Sequence, residues 1–250
     1  MQIDIYSDPR LYDAAHVWKT NDIEFITNYA TQQRGLILEM ASGTGRLSAP
    51  LINKGLNYTG VELSKPFVEY TRKKLKAYNT NHSIIQGDMK NISLDKKYNF
   101  IFIAFNSICH LLTNKDLLKF FKCVNNHLMD DGLFLIDTFV PNPIFLYRPK
   151  IKTFVMEFVL PNGEHCMVNE INQYNPSTQI NHIKWLFESS TVDEFLFDMH
   201  MIYPDTMDRL LTDSGFIIKK KFGDYNKSPF SSCLLYTSDA ADEGLGVDLG

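Results

Sequence analysis

Short apolar runs alternate with amphipathic stretches through the first 140 residues. Gly35-Leu36-Ile37-Leu38-Glu39-Met40 is an apolar run that ends in Ala41-Ser42-Gly43-Thr44-Gly45, the pattern of a buried strand entering a glycine turn. Leu47, Leu51 and Ile52 then fall at helical spacing, and Gly55 supplies a stop. The alternation continues with a strand over 58–63, a helix over 66–78 capped by Ser64, strands over 82–86 and 99–105, a helix over 115–129 and a strand over 133–139. Upstream, Leu11, Ala15, Trp18, Ile23 and Ile26 give the first segment helical spacing. Strands separated by helices imply a parallel sheet covered on both faces.

From residue 153 the period changes. Segments 153–160, 166–174, 179–188 and 194–201, joined by Pro161-Asn162-Gly163 and Asn175-Pro176-Ser177, read as an antiparallel meander inserted over the sheet. A helix over 203–213 and a sixth core strand over 216–222 follow. The expected fold class is therefore α/β, a doubly wound, mainly parallel sheet with a small antiparallel β insertion. The expected division is a core over 1–150, a lobe or lid over 151–201, and a completing helix and strand over 202–232. Residues 233–250 do not fit, because the acidic wording Leu-Leu-Tyr-Thr-Ser-Asp-Ala-Ala-Asp-Glu resembles the conceptual translation of a sequencing adapter. The reading sets them aside as a non-native tail, with only 233–236 able to imitate a missing strand.

Composition narrows the function classes. A chain of 250 residues with 44% hydrophobic content can bury one sizeable core without disulfides or metal. Its net charge of −4, with Arg72-Lys73-Lys74 and Lys219-Lys220-Lys221 inside predicted elements, gives no reason to expect nucleic acid. The four cysteines form no C-x-x-C pair, no stretch approaches the length of a membrane span, and the N-terminus lacks a basic leader. A cytoplasmic protein with no membrane partner and no metal is expected; oligomeric state is left open.

Candidate chemistry gathers at strand ends. Gly43 and Gly45 let the backbone turn sharply and admit a ligand against the main chain. Glu62 ends the second strand, where a carboxylate can accept both hydrogen bonds of a ribose diol. Asp88 and Met89 follow the third strand, where an acid can accept from an adenine amino group and a thioether can pack on the purine. Singly these are also an ordinary turn, a solvated acid and a helix cap; together they mark the edge where open α/β sheets bind ligands.

On these motifs residues 1–232 resemble a Rossmann-like class I S-adenosylmethionine-dependent methyltransferase, of the small-molecule type with a β-rich insertion after the fifth strand. The resemblance implies S-adenosyl-L-methionine as cofactor, with Glu39, Ala41, Gly43 and Gly45 at its methionyl part, Glu62 and Leu63 at its ribose, and Asp88 and Met89 at its adenine. Ala41 stands where the family turn commonly has glycine. The third glycine of G-x-G-x-x-G is missing, which counts against the alternative of an NAD(P)-dependent oxidoreductase. A non-catalytic S-adenosylmethionine-binding module is the other alternative.

The resemblance also places Phe105 and Asn106 beside the cofactor and lets His110 reach the acceptor as the candidate general base. Asn106-Ser107 departs from the Asn/Asp-Pro-Pro-Tyr signature, so DNA bases and glutamine side chains are not expected acceptors. Tyr12 is expected at the cofactor and Tyr6 at the acceptor, since the family's N-terminal helix lids the site with tyrosines. Arg46 is expected to pair with Glu39 or the cofactor carboxylate. Tyr174, Trp185 and Tyr225 complete the expected acceptor surface. The acceptor is expected to be a small molecule, its reacting atom open among nitrogen, oxygen, carbon and sulfur.

Overall fold

The computed structural model describes residues 4–78, 80–231 and the strand at 245–249. Helix α1 (Pro9–Ala15) begins on a proline behind Asp8, whose carboxylate accepts the Arg10 and Leu11 N–H groups. The single helical segment expected upstream is in fact two helices. Residues 16–22 break it, and α2 (Ile23–Gln33) follows with Asp22 at its N-terminus. Then come β1 (Leu36–Met40), α3 (Ser48–Asn53), β2 (Asn57–Glu62), α4 (Lys65–Leu75), β3 (His82–Gln86), β4 (Tyr98–Ile103), α5 (Asn114–His127) and β5 (Leu128–Thr138). Ser64 Oγ accepts the Phe67 N–H and caps α4.

β3, β2, β1, β4 and β5 lie side by side in that order and are all parallel. Period-2 alternation sorts the core. On β4, Ile101 and Ile103 pack with Leu117, Phe120, Phe121, Leu210 and Leu211 on one face. Phe100 and Phe102 pack with Phe25, Ile26, Leu51 and Val68 on the other. Each such side chain contributes about 1.5–3 kcal/mol on burial, so the sheet is fixed from both sides.

After α6 (Pro143–Leu146), strands β6 (Thr153–Val159), β7 (His165–Asn175), β8 (Ile180–Glu188) and β9 (Val192–His200) form a separate antiparallel sheet in sequence order. Its inner face packs Phe158, Cys166, Val168, Phe187 and Phe195 against Ile5, Leu11 and Ala15, which ties the N-terminal segment to the lobe.

Helix α7 (Pro204–Asp213) returns the chain to the core, and the sixth strand, β10 (Ile218–Lys221), is shorter than the sequence suggests. Phe222 belongs to an isolated bridge with Pro229, so the backbone leaves the sheet there. Leu245–Leu249 forms β11 between β5 and β10, antiparallel to both. The slot of the missing strand is thus taken by a segment that the reading had set aside; 233–236, and Cys233 with it, lie outside the described residues. Cys109, Cys123 and Cys166 are buried and free. Among the described residues no helix is long and apolar enough to cross a membrane.

Candidate functional site

Register carries the three strand-end motifs to one edge. Met40 pairs with Val61, Val61 with Ile85, and Glu62 with Gln86, so the segments 41–45, 62–64 and 87–89 emerge together. Above them lies a cavity of about 520 Å³, roofed by α1 and the antiparallel lobe.

Ala41 and Gly43 both line this cavity with positive φ, 57° in each. For Ala41 that is an uncommon conformation, maintained by the sheet it leaves. A side chain built at Gly43 would meet nothing within 4 Å, so this stretch of main chain faces open space. Gly45 plays another part. It lies outside the cavity lining, and a Cβ there would sit 2.5 Å from Thr71 Cγ2 and 2.6 Å from Ser48 Oγ, so its bareness lets the turn pack on α4.

Glu62 is only 8% exposed, and its carboxylate is held by backbone: Gly43 N–H donates to Oε2 and Ser64 N–H to Oε1, both at 2.8 Å. Burial raises its pKa, while backbone N–H groups pull the other way by favouring the anion. Each oxygen keeps a lone pair for a ligand donor, so the group can take a vicinal diol. Leu63, Asp88 and Met89 line the same half of the cavity. The Asp88 carboxylate also accepts the Lys90 N–H at 2.9 Å.

Glu39 sits behind this wall, not in it. It is buried, accepts Tyr58 O–H at 2.5 Å, and burial pushes its pKa up to about 8. The expected pairing of Arg46 with Glu39 or a cofactor carboxylate is replaced by another: both guanidinium nitrogens of the Arg46 fork donate to Asp22 at 2.6 Å. Asp22 is fully buried at the start of α2 and caps no backbone N–H, because Arg46 claims its carboxylate. A buried acid next to a free arginine fork is the stronger pairing.

The far wall is the β4 end. Phe105 and Asn106 both have positive φ, 52° and 61°, and hydrogen bonds to Asp137 and Phe139 hold them there. Asp137 Oδ2 accepts the Phe105 N–H at 2.9 Å, and Asn106 Oδ1 accepts the Phe139 N–H at 2.8 Å. Behind Phe105, Tyr225 O–H donates to Asp137 Oδ1 at 2.8 Å and Lys19 Nζ donates to the Tyr225 oxygen at 2.9 Å. Tyr225 is therefore part of the scaffold under Phe105 and not of the cavity surface where it was expected. Tyr174 is likewise displaced: it packs edge-on against Tyr147 and meets the Tyr203 hydroxyl at 3.4 Å, away from the cavity. Tyr174 is on the same face of β7 as Glu170, the residue opposite Trp185, but stands four residues, roughly 13 Å, further along the strand.

His110 closes the wall on the 3-10 turn Ser107–His110, with Nε2 3.1 Å from the Tyr6 hydroxyl. Its surroundings lower its pKa by desolvation, and burial keeps the Tyr6 phenol well above its usual range. At neutral pH the pair is thus a neutral imidazole beside a protonated phenol. Tyr6, Tyr12 and Trp185 also line the cavity.

Several lining residues had not been expected, His16 and Glu170 among them. His16 stands one helical turn beyond Tyr12, its Nδ1 2.8 Å from the Tyr12 carbonyl oxygen, and burial lowers its pKa to about 4. The i, i+4 spacing from Tyr12 was the available signal. Glu170 lies on the buried face Cys166, Val168, Glu170, Asn172 of β7, and an acid in an apolar period-2 row was its signal.

Comparison with known proteins agrees with this geometry. A family model described as a methyltransferase domain matches residues 37–132. The putative methyltransferase YqeM of Bacillus subtilis is 31% identical over 106 residues, 42% of either chain. The dTDP-3-amino-3,4,6-trideoxy-alpha-D-glucopyranose N,N-dimethyltransferase of Streptomyces venezuelae is 24% identical over 119 residues, 48% of either chain. The matched region spans about half the length of these curated relatives or less. The fold is similar over 95% of both chains to a solved S-adenosylmethionine-dependent methyltransferase of Clostridium acetobutylicum, with TM-score 0.74 at 18% identity.

Proposed function

We propose that the chain is a class I S-adenosylmethionine-dependent methyltransferase and that it methylates an amine nitrogen of a small-molecule acceptor. The observation that carries the reading is the single cavity. One half offers the Glu62 carboxylate, bare backbone at Gly43 and the Asp88–Met89 loop; the other offers aromatic walls and the His110–Tyr6 pair. The relative from Streptomyces venezuelae, whose name specifies N,N-dimethylation, supports nitrogen as the reacting atom.

S-adenosylmethionine, when bound, supplies a methyl group on a positively charged sulfur that leaves as a neutral thioether. The residues fit that molecule better than a dinucleotide. Glu62 takes the ribose hydroxyls, while position 48, where the dinucleotide fingerprint has a third glycine for close helix–strand packing, is a serine whose Oγ donates to the Gly45 carbonyl. Asp88 and Met89 border the adenine. Phe105, fixed in its left-handed conformation, walls the reacting centre. Holding the acceptor in line with the methyl group supplies most of the acceleration, on the order of 7–11 kcal/mol.

The acceptor nitrogen loses a proton as its bond to carbon forms. Tyr6 oxygen accepts that proton while the Tyr6 hydroxyl proton passes to His110 Nε2, a relay for which His110 must start neutral. The test is calorimetric titration of S-adenosylmethionine, its demethylated product and NADH into the wild-type protein and Glu62→Ala, followed by mass analysis of an amine panel. Binding of the first two, lost in the variant, with methylated amine product, is expected. Binding of NADH alone would overturn the reading.

A further inference from the structure

The acceptor half of the cavity is mostly apolar, and beside its histidines and the Tyr6 hydroxyl it carries one charged group. Phe105, Ile183, Trp185, Phe197 and Met199 line this half together with Glu170, which is 6% exposed and borders the cavity from β7. Its carboxylate is aimed by two donors: Arg148 Nη2 donates to Oε1 at 2.8 Å and Trp185 Nε1 to Oε2 at 3.0 Å. Arg148 Nε also donates to Asn172 Oδ1 at 2.7 Å, and its guanidinium lies 4.0 Å from the Phe145 ring centroid, so it is committed away from the cavity. Each Glu170 oxygen has one protein donor and a lone pair to spare.

Cations are placed elsewhere. Among the lining residues the one lysine or arginine is Lys90, on the Asp88 side, and it pairs with Asp88 at 3.6 Å and Asp116 at 3.8 Å. Arg46 is taken by Asp22. A phosphorylated or nucleotide-linked acceptor would thus bring its charge toward Glu170 with no cation to receive it. Space points the same way, since about 520 Å³ is within the range of one drug-sized ligand and has to house the methyl donor as well.

Resting on the methyl-transfer reading, we propose that the acceptor is a compact, unphosphorylated amine bearing a second donor group, a hydroxyl or an ammonium, that Glu170 binds through its spare lone pairs. Glu170 sets specificity by favouring that donor and by repelling phosphate. Trp185 both orients Glu170 and forms the adjacent wall.

The experiment loads the protein with S-adenosylhomocysteine and titrates phenylethanolamine, glucosamine and thymidine diphosphate by calorimetry, in wild type and Glu170→Gln. Trp185 fluorescence, read in a Trp18→Phe background so that Trp185 alone emits, serves as a second readout that leaves Glu170 in place. At least one of the two amino alcohols is expected to bind and shift the fluorescence, with about tenfold or greater weakening in Glu170→Gln and no change in S-adenosylhomocysteine affinity. Thymidine diphosphate is expected to be silent. Thymidine diphosphate binding more tightly than either amine, no amine binding or Glu170→Gln matching wild type would each overturn the proposal. Failure of S-adenosylhomocysteine itself to bind would instead bring down the methyl-transfer reading, and this inference with it.

Discussion

Replacing Glu62 by glutamine is expected to cost nearly as much cofactor affinity as replacing it by alanine. Both carboxylate oxygens already accept a backbone N–H, from Gly43 and Ser64, at 2.8 Å. An amide has one oxygen, so in Glu62→Gln the NH₂ group must face one of those two N–H donors. The side chain then rotates away or leaves a buried donor unpaired, a penalty of about 1–3 kcal/mol. The ribose meanwhile loses two bonds to a charged acceptor, each contributing about 1.5–3 kcal/mol. The unpaired donor weighs on free and bound protein alike, so the two ribose bonds set the affinity loss, at least about 3 kcal/mol or more than a hundredfold. Calorimetry with S-adenosylhomocysteine measures it, and urea unfolding separates the affinity loss from loss of fold. If Glu62→Gln bound within about threefold of wild type, a loss below about 1 kcal/mol, the two-oxygen argument would be wrong.

The ligand-free protein should lose stability as pH rises through the Glu39 titration. Burial raises the folded pKa to about 8 from 4.5, so the folded state holds a proton that the unfolded state releases, a slope of about 1.4 kcal/mol per pH unit across that window. Urea unfolding over a pH series should show Glu39→Gln gaining on wild type from about pH 5 up to about pH 8 and level beyond it; parallel curves would sink the assignment. Tyr225→Phe, which leaves Asp137 and Lys19 each short of a partner, should lower stability by about 1–2 kcal/mol and reduce kcat with little change in acceptor KM. A large KM change would put Tyr225 back at the acceptor surface. Methyl transfer should rise with pH through a pKa below histidine's usual value, set by His110, and that limb should vanish in His110→Asn while it persists in His16→Asn. Its survival in His110→Asn would exclude the proposed relay.

The parallel sheet and its ligand edge were legible because each strand is a short apolar run that stops at a chemically marked loop. The run 36–40 followed by glycines, and Glu62 at the end of β2, need only a strand's length and its direction to be placed. The partners of Arg46 and Tyr225 were not legible for the opposite reason. Asp22 and Asp137 are 24 and 88 positions away from them in sequence and are brought near by the α1–α2 break and by the chain's return after α7. Nothing in local spacing announces a contact of that range. The break itself was hidden by helical spacing that runs across it from Ala15 to Ile23. The β11 slot was misjudged because composition weighed the whole acidic tail, whereas pairing asks only for five residues with an apolar alternation, Leu245, Val247 and Leu249.

The same division explains why the cofactor half reads more easily than the acceptor half. Residues touching the cofactor half sit on loops whose position follows from strand order, so any sequence that builds the sheet must advertise them. The acceptor half is made by two faces meeting, α1 from the N-terminus and the inner rows of β7, β8 and β9. In such a row the informative residues are those that violate the apolar period, and of the two on β7, Glu170 and Asn172, it is Glu170 that borders the cavity. A carboxylate that is expensive to bury persists there with Arg148 and Trp185 holding it at the cavity wall. A purely structural acid would be better replaced by the leucine or valine that the strand pattern calls for, which is the physical reason to look for specificity at that position before any other in the lobe.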